Sequence, residues 1–582
     1  MSQHNEMKLL LRLWPFARPD RRFFGFALLL TPLAMLGSLA QPLLLKEAID
    51  NHIVTGEVQG LYRVALFYVL VVLLTYLVEA AYMLSLALAG QRTIVRLRES
   101  IYRHLLTLSS SFFDTRPAGG LMTRATSDVE SLGEALTSGV VTIVLDILVV
   151  IGVLVVMFSM DWRLTLILLA VTPPLLFVLQ VCRLRLRDLF LLIRDSLAHL
   201  NAFLAERING IEVIQLFNHE AKTHEEFCRR NAVFRDASIR SNIYDALMYA
   251  FVDGTGRVCI ALMLWYGSSS VTSGTVTAGL LVAFIDYLDR LFRPLQQFSG
   301  KVAIIQRALA ALNKIFRLLE ESEQIEDTGI ELENVKGRIQ FRNVSFSYNQ
   351  ETLPDILRDI DLDIKPGEVV ALVGPTGCGK TTLSRLLTRS YDGDRGSITI
   401  DGQEIREVRP RSLRSHVAAV HQDVHIFPDS IRFNVGMGNP TIGSDRLQAA
   451  ADLVHAGEFI EALPDTWEHS LRNRGANLSS GEGQLLTFAR TMAYDPVMVI
   501  LDEATAAVDS ITEAQIQFAI QKIFKQKTVL VIAHRLSTIA AADRILVMNN
   551  GRIAEQGRHQ DLLRQDGLYA ELVRKGLSAA TG

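Results

Sequence analysis

The run Gly374-Pro375-Thr376-Gly377-Cys378-Gly379-Lys380-Thr381-Thr382 has residue types and spacing suited to holding phosphate. It fits G-x-x-x-x-G-K-[ST] in the required context, with the apolar strand Glu368–Gly374 leading in and a helical stretch leaving from Leu383. Glycines let backbone N–H groups wrap phosphates, and a helix N-terminus favours their charge. In this pattern Lys380 reaches the β and γ phosphates and the Thr381 hydroxyl ligates Mg²⁺. A second apolar run, Val497–Leu501, ends in Asp502-Glu503. Asp502 suits a Mg²⁺ ligand, directly or through water, and Glu503 suits a general base on an attacking water. Cys378 lies near Lys380 and a helix N-terminus, which favours its thiolate. The alternative is a small residue that only fills the loop.

These residues must be positioned by elements, and composition shows two kinds. The 582 residues are 49% hydrophobic and 21% charged. Their mean hydropathy is +0.24. That is too apolar for disorder and unusual for a soluble protein. A net charge of −3 argues against nucleic acid as the main partner. Cys182, Cys228, Cys259 and Cys378 are too scattered for a disulfide framework or a metal site.

The apolar excess is gathered in the first half. Phe23–Leu45 and Leu164–Cys182 carry no charge, Val64–Gly90 carries only Glu79, and Ala135–Met160 carries only Asp146. Each is long enough for one bilayer crossing, which needs roughly 20 helical residues. Val258–Ile285 is uncharged and punctuated by Gly267–Gly274, which predicts a hairpin between two spans, about 241–267 and 276–298. Six spans result. Lys and Arg gather in residues 1–22, between spans two and three and between spans four and five, and are absent from the hairpin. Positive charge marks the cytosolic side, so both termini are expected in the cytosol. The long excursions 91–134 and 183–240 read as cytosolic helical extensions. Residues 1–320 are thus read as a transmembrane domain, 321–337 as an acidic linker and 338–582 as a soluble α/β domain.

Before the Asp502-Glu503 strand stands Leu478-Ser479-Ser480-Gly481-Glu482, which resembles the LSGGQ signature of ATP-binding cassette (ABC) transporters. Other family elements stand around it in order: Tyr348, where the family stacks an aromatic on adenine; Gln422 of the Q-loop; Asp509 of the D-loop; and His534, the switch histidine. Phe112–Gly119 with Thr123–Asp128, and Ile208–Asn218, resemble the two cytosolic loops of the exporter type, whose tips couple the domains. The resemblance implies six transmembrane helices plus an α/β P-loop ATPase, binding ATP and Mg²⁺, with Gln422 a further Mg²⁺ ligand. It implies a dimer, because Ser479 and Gly481 of one half complete the ATP site of the other. Ser480 and Glu482 depart from the signature's glycine and glutamine, and Asn473 replaces a usual glutamate. This texture is similar to the B-type half of bacterial heterodimeric multidrug exporters, with a homodimer the alternative. The expected activity is ATP-driven export of hydrophobic or amphipathic compounds from a bacterial plasma (inner) membrane. A lipid flippase, or an ATP-gated channel or regulatory subunit without pumping, is the rival reading.

Glu79, Asp146, Asp253, Asp286 and Asp289 fall inside or near the spans, and intramembrane ionisable residues invite a functional reading. They could line a cavity favouring cationic amphiphiles. Asp253, Asp286 and Asp289 each have an arginine at i+4 (Arg257, Arg290, Arg293) and could simply be neutralised there. Glu79 and Asp146 have no such local partner, which makes them the better candidates.

Overall fold

The computed structural model describes residues 3–272, 276–323, 327–348, 354–421, 423–472, 475–502, 510–533 and 535–574. The chain divides into two compact units, Met1–His104 with Gly119–Glu321, and Leu105–Ala118 with Ser322–Gly582. A short stretch between spans two and three therefore belongs to the second unit.

The helices of the first half are α1 (Gln3–Ala17), α2 (Arg21–Glu47), α3 (Val58–Leu105), α4 (Ser110–Thr115), α5 (Ala118–Thr123), α6 (Val129–Glu134), α7 (Val140–Met160), α8 (Trp162–Asn209), α9 (Ile211–Leu216), α10 (Glu220–Thr272) and α11 (Ala278–Leu319). Six of them, α2, α3, α7, α8, α10 and α11, carry the five apolar runs, Val258–Ile285 being divided between α10 and α11. Among the described residues, four stretches are long and apolar enough to cross a membrane by themselves: Leu11–Ile53, Val58–Leu105, Ala118–Met160 and Glu220–Tyr266. The expected hairpin at Gly267–Gly274 begins later than its Gly and Ser residues suggested. Helix α10 continues to Thr272, since tertiary context overrides the weak helix propensity of Gly, Ser and Thr; residues 273–275 lie outside the described residues.

The first unit's interior is apolar and close-packed. Met157, Leu164, Cys259, Met263, Phe284 and Tyr287 are fully buried in one cluster. The Tyr287 hydroxyl donates to the Leu39 carbonyl at 2.6 Å, satisfying a buried polar group. Close helix approach uses small residues: a Cβ on Gly37 of α2 would lie 2.2 Å from Thr75 Oγ1 of α3. Outward faces keep large apolar side chains exposed, such as Leu66, Leu73 and Leu77 on α3, as a lipid-facing surface requires.

The second unit is built on two sheets. Strands β1 (Ile339–Phe346), β2 (Leu357–Ile364), β4 (Arg395–Ile400) and β5 (Gln403–Glu404) form an antiparallel sheet in the order β2-β1-β4-β5. Strands β3 (Val369–Val373), β6 (Val417–Val420), β7 (Met498–Asp502), β8 (Thr528–Ile532), β9 (Arg544–Asn549) and β10 (Arg552–Gly557) form the other, ordered β10-β9-β3-β8-β7-β6. All neighbours in it are parallel except β10 with β9. Strand β3 is buried on both faces, as central parallel strands are. Val370 and Leu372 join the core under the antiparallel sheet, while Val369, Ala371 and Val373 join the core that packs the helix Ser480–Ala493.

Candidate nucleotide site

Parallel register brings the chemistry to one edge. Leu372 of β3 pairs with Ile532 of β8, Ile532 with Asp502 of β7, and Leu501 of β7 with Val420 of β6. All four strands therefore end along one carboxyl edge, where open α/β sheets bind ligands. Gly374 follows β3 there, and half-buried Asp502 closes β7 there. With β8 between them, β3 and β7 are about 10 Å apart, two strand spacings. The residues expected next to these ends, Gln422, Glu503, Asp509 and His534, lie outside the described residues.

Gly374 has φ +153° and Gly379 φ +105°. A Cβ on Gly374 would lie 2.3 Å from the Met548 carbonyl oxygen, and one on Gly379 would lie 2.6 Å from Leu357 Cδ2. Only glycine fits either position. Gly379 then caps helix α12 (Lys380–Leu387), pointing its N-terminus along the loop formed by Pro375, Thr376, Gly377 and Cys378. Lys380 is 8% exposed, and its Nζ donates to the carbonyls of Gly374 at 2.7 Å and Pro375 at 3.1 Å. Among the described residues no carboxylate pairs with it, so its charge is held by the loop's own dipoles. Cys378 is buried, 3.9 Å from that Nζ. Thr381 is exposed on the first turn of α12 and Thr382 is buried. An exposed hydroxyl at α12 and a carboxylate on the same sheet edge are a donor set that suits Mg²⁺.

The structure brings Tyr348 to this loop: its hydroxyl lies 3.2 Å from Thr382 Oγ1. Its ring meets Phe346 and Tyr391 edge-on, with centroids at 5.1 and 5.0 Å. Three residues here escaped sequence reasoning. Arg385 lies over Tyr348 and Tyr391, and Asp114 of α4 accepts from Arg385 at 2.8 Å and from the Tyr391 hydroxyl at 2.5 Å. Asp114 is 271 residues from Arg385, and no local pattern announces such a contact. Burial first, then the Asp114 carboxylate, push the Tyr391 phenol well above its ordinary value, so it stays a donor at neutral pH.

Ser479 and Gly481 stand elsewhere, at the start of helix Ser480–Ala493. Ser479 is its N-cap, accepting from the Glu482 amide at 3.2 Å, while the Glu482 carboxylate accepts from the Ser479 amide at 2.7 Å. The Glu482 departure from the signature thus completes a capping box. Among the described residues neither Ser479 nor Gly481 hydrogen-bonds the phosphate loop. Arg490 on the same helix was also missed. It donates to the carbonyls of Asn434 and His425 at 2.7 and 3.0 Å, and burial holds its guanidinium below its ordinary value.

In the first unit, Asp253–Arg257, Asp286–Arg290 and Asp289–Arg293 pair at 2.9, 3.3 and 2.6 Å, the local neutralisation their spacing allowed. Asp146 is not alone, although nothing near it in sequence could pair with it. It meets Lys301 of α11 at 2.5 Å, with side chains 23% and 15% exposed. Glu79 is half-buried on α3 within electrostatic reach of Arg290.

A glycine-rich strand–loop–helix at the carboxyl edge of this sheet, in one chain with four helical stretches long and apolar enough to cross a membrane among the described residues, is the layout of an ATP-hydrolysing membrane transporter. The comparisons agree: residues 24–295 match the ABC transporter transmembrane region and residues 357–506 match the ABC transporter family model. An ATP-dependent lipid A-core flippase of Thiobacillus denitrificans is 34% identical over 98% of this chain and 99% of its own length. A fatty acid ABC transporter ATP-binding/permease protein of Mycobacterium bovis is 36% identical over 84% of this chain and 77% of its own. A solved bacterial Atm1-family ABC exporter with ATP bound superposes with a TM-score of 0.74 at 29% identity, covering 95% of this chain and 98% of that one. The chain belongs to the ABC transporter family, as an exporter-type half-transporter with membrane and ATPase domains fused.

Proposed function

We propose that this chain is one half of a dimer that uses ATP hydrolysis to export hydrophobic or amphipathic compounds by alternating access. The observation that carries this is the alignment of the phosphate loop and Asp502 on one sheet edge, in a chain that also holds a helical unit with, among the described residues, four stretches long and apolar enough to cross a membrane. Residues 1–320 act as the membrane domain, 321–337 as linker and 338–582 as the ATPase.

Lys380 and the loop amides bind the ATP phosphates, and Tyr348 stacks on adenine. Thr381, Asp502 and Gln422 would hold Mg²⁺, which would supply neutralisation of phosphate charge. Glu503 takes the proton of the attacking water, and His534 donates to the γ-phosphate. Asp509 is assigned to the D-loop by its place in the motif order. The Ser479 hydroxyl uses an acceptor position for its cap and keeps its O–H to donate, so it and Gly481 can complete the second half's ATP site. Dimerisation is then obligatory for turnover. The second half is proposed to be a different chain, with both termini cytosolic in a bacterial inner membrane.

Relatives named as a lipid A-core flippase, a fatty acid ABC transporter and a multidrug export protein support a lipid-like or drug-like substrate class. Glu79 is the cavity residue proposed to meet a cationic group. Asp146, Asp253, Asp286 and Asp289 contribute to the cavity's polarity through their ion pairs. The test is ATPase stimulation of the purified protein in lipid, screened across cationic drugs, lipids and peptides, alone and with a co-expressed second half. Full activity of the chain alone contradicts the heterodimer; absence of stimulation by any amphiphile contradicts the substrate class.

A further inference from the structure

Helix α4 is the short turn between spans two and three, and it belongs to the ATPase unit. Two features fix it there. Phe112 is fully buried, with Arg116 4.1 Å above its ring. Ser109 N donates to the Glu323 carbonyl at 2.8 Å, and Ser111 Oγ to the Glu323 carboxylate at 3.2 Å. From this anchored turn a single oxygen, Asp114 Oδ2, accepts both the Arg385 guanidinium and the Tyr391 hydroxyl.

Those two partners are packed on Tyr348. The Tyr391 ring stands edge-on to Tyr348 at 5.0 Å and to Phe346 at 5.8 Å, and Phe346 stands edge-on to Tyr348 at 5.1 Å. Edge-to-face contacts at these separations depend on ring orientation. Arg385 approaches the Tyr348 and Tyr391 rings at 6.0 and 5.9 Å, and it sits on α12, the helix that begins at the phosphate-binding Lys380. Tyr348 remains 37% exposed, which leaves it surface for a flat base.

We propose that Asp114 is a positioning residue for the nucleobase platform: through Tyr391 and Arg385 it orients Tyr348, so that ATP affinity depends on how the turn between spans two and three is docked. The contact joins the base, rather than the phosphates, to the chain segment that continues into the second and third spans. It rests on the reading of Tyr348 as the adenine-stacking residue. The charge on Asp114 orders two donors at once, and charge-assisted hydrogen bonds are about twice as strong as neutral ones. Movement of α4 would therefore release Tyr391 and Arg385 together.

The test is steady-state ATPase of the full-length protein in lipid, comparing ATP with UTP, whose smaller base stacks weakly. Asp114→Ala removes both hydrogen bonds and should raise the KM for ATP about tenfold, the part of that loss that reaches Tyr348 being on the scale of one charge-assisted hydrogen bond. It should leave kcat and the KM for UTP within about twofold, a change worth little free energy. Tyr391→Phe keeps the ring and loses the hydroxyl, and should give a smaller shift in the same direction. Tyr391→Phe also serves if Asp114→Ala fails to fold. Equal shifts for both nucleotides, a fall in kcat alone, or no shift in either variant while Tyr348→Ala raises the ATP KM overturns the proposal. If Tyr348→Ala itself leaves the ATP KM unmoved, the nucleobase reading of Tyr348 falls, and the proposal falls with it.

Discussion

The sheet edge of the ATPase unit and the helices of the membrane unit handle charge in opposite ways. At the edge, Lys380 is nearly buried, and among the described residues its Nζ meets the carbonyl oxygens of Gly374 and Pro375 and the Cys378 sulfur but no carboxylate. A buried cation without a carboxylate is costly, and the proposed role of this loop in holding phosphate gives that cation an anionic partner. In the membrane unit the arrangement is reversed. Asp146 meets Lys301, Asp286 meets Arg290, and Arg290 also donates to Gln41 at 2.8 Å. These charges satisfy one another before any ligand arrives. The difference separates a site prepared for one charged ligand from a polar interior that must be rearranged to take one.

That contrast can be broken by substitution. The largest effect is expected at Lys380: Lys380→Ala should lower ATPase turnover at least about 10²-fold, as loss of a preorganised transition-state contact does. A fall under tenfold would mean that the lysine is not aimed at phosphate. Next is the Asp146–Lys301 pair. Asp146→Ala leaves Lys301 with an uncompensated part-buried charge and should destabilise the protein by about 2 kcal/mol, below the cost for a fully buried pair, seen as a lower thermal midpoint in lipid nanodiscs. Asp146→Leu with Lys301→Met should recover most of it. If the single variant is as stable as the parent, the pair is not the structural neutralisation described above.

Legibility follows the same division. The phosphate loop was readable because its chemistry needs contiguous backbone: Gly374, Gly379 and Lys380 act through one turn, and the strand and helix flanking it are fixed by local pattern. The antiparallel sheet whose strand β1 ends just before Tyr348, and the pairing of Asp146, were not readable in that way. Lys301 is 155 residues from Asp146. Nothing in the run Ala135–Met160 distinguishes a paired aspartate from a ligand-facing one. Asp114 was hidden for the same reason, although the loop around it was singled out. The i,i+4 pairs at Asp253, Asp286 and Asp289 were readable because helix geometry alone places those partners.

Smaller effects sharpen the comparison further. Glu79 has no hydrogen-bonded cation among the described residues. Glu79→Gln should weaken the stimulation of ATPase by cationic amphiphiles about tenfold in half-maximal concentration, the scale of one ionic contact. Stimulation by neutral lipids should be unchanged, and a parallel loss for both would remove Glu79 from substrate recognition. Asp253→Asn should do least. Its pair with Arg257 is largely exposed, with side chains 59% and 79% accessible, and exposed pairs contribute about 0–1 kcal/mol. A thermal shift as large as that of Asp146→Ala would contradict this ranking.

The central claim is that hydrolysis at the sheet edge drives uphill export. Inverted membrane vesicles containing the full chain with its second half test it most directly, with ethidium and a fluorescent phospholipid as probes and Glu503→Gln as the comparison. The account predicts ATP-dependent accumulation of a probe above its equilibrium distribution in the parent protein and none in Glu503→Gln. Movement that stops at equilibrium in the parent, or accumulation that persists in Glu503→Gln, would contradict it.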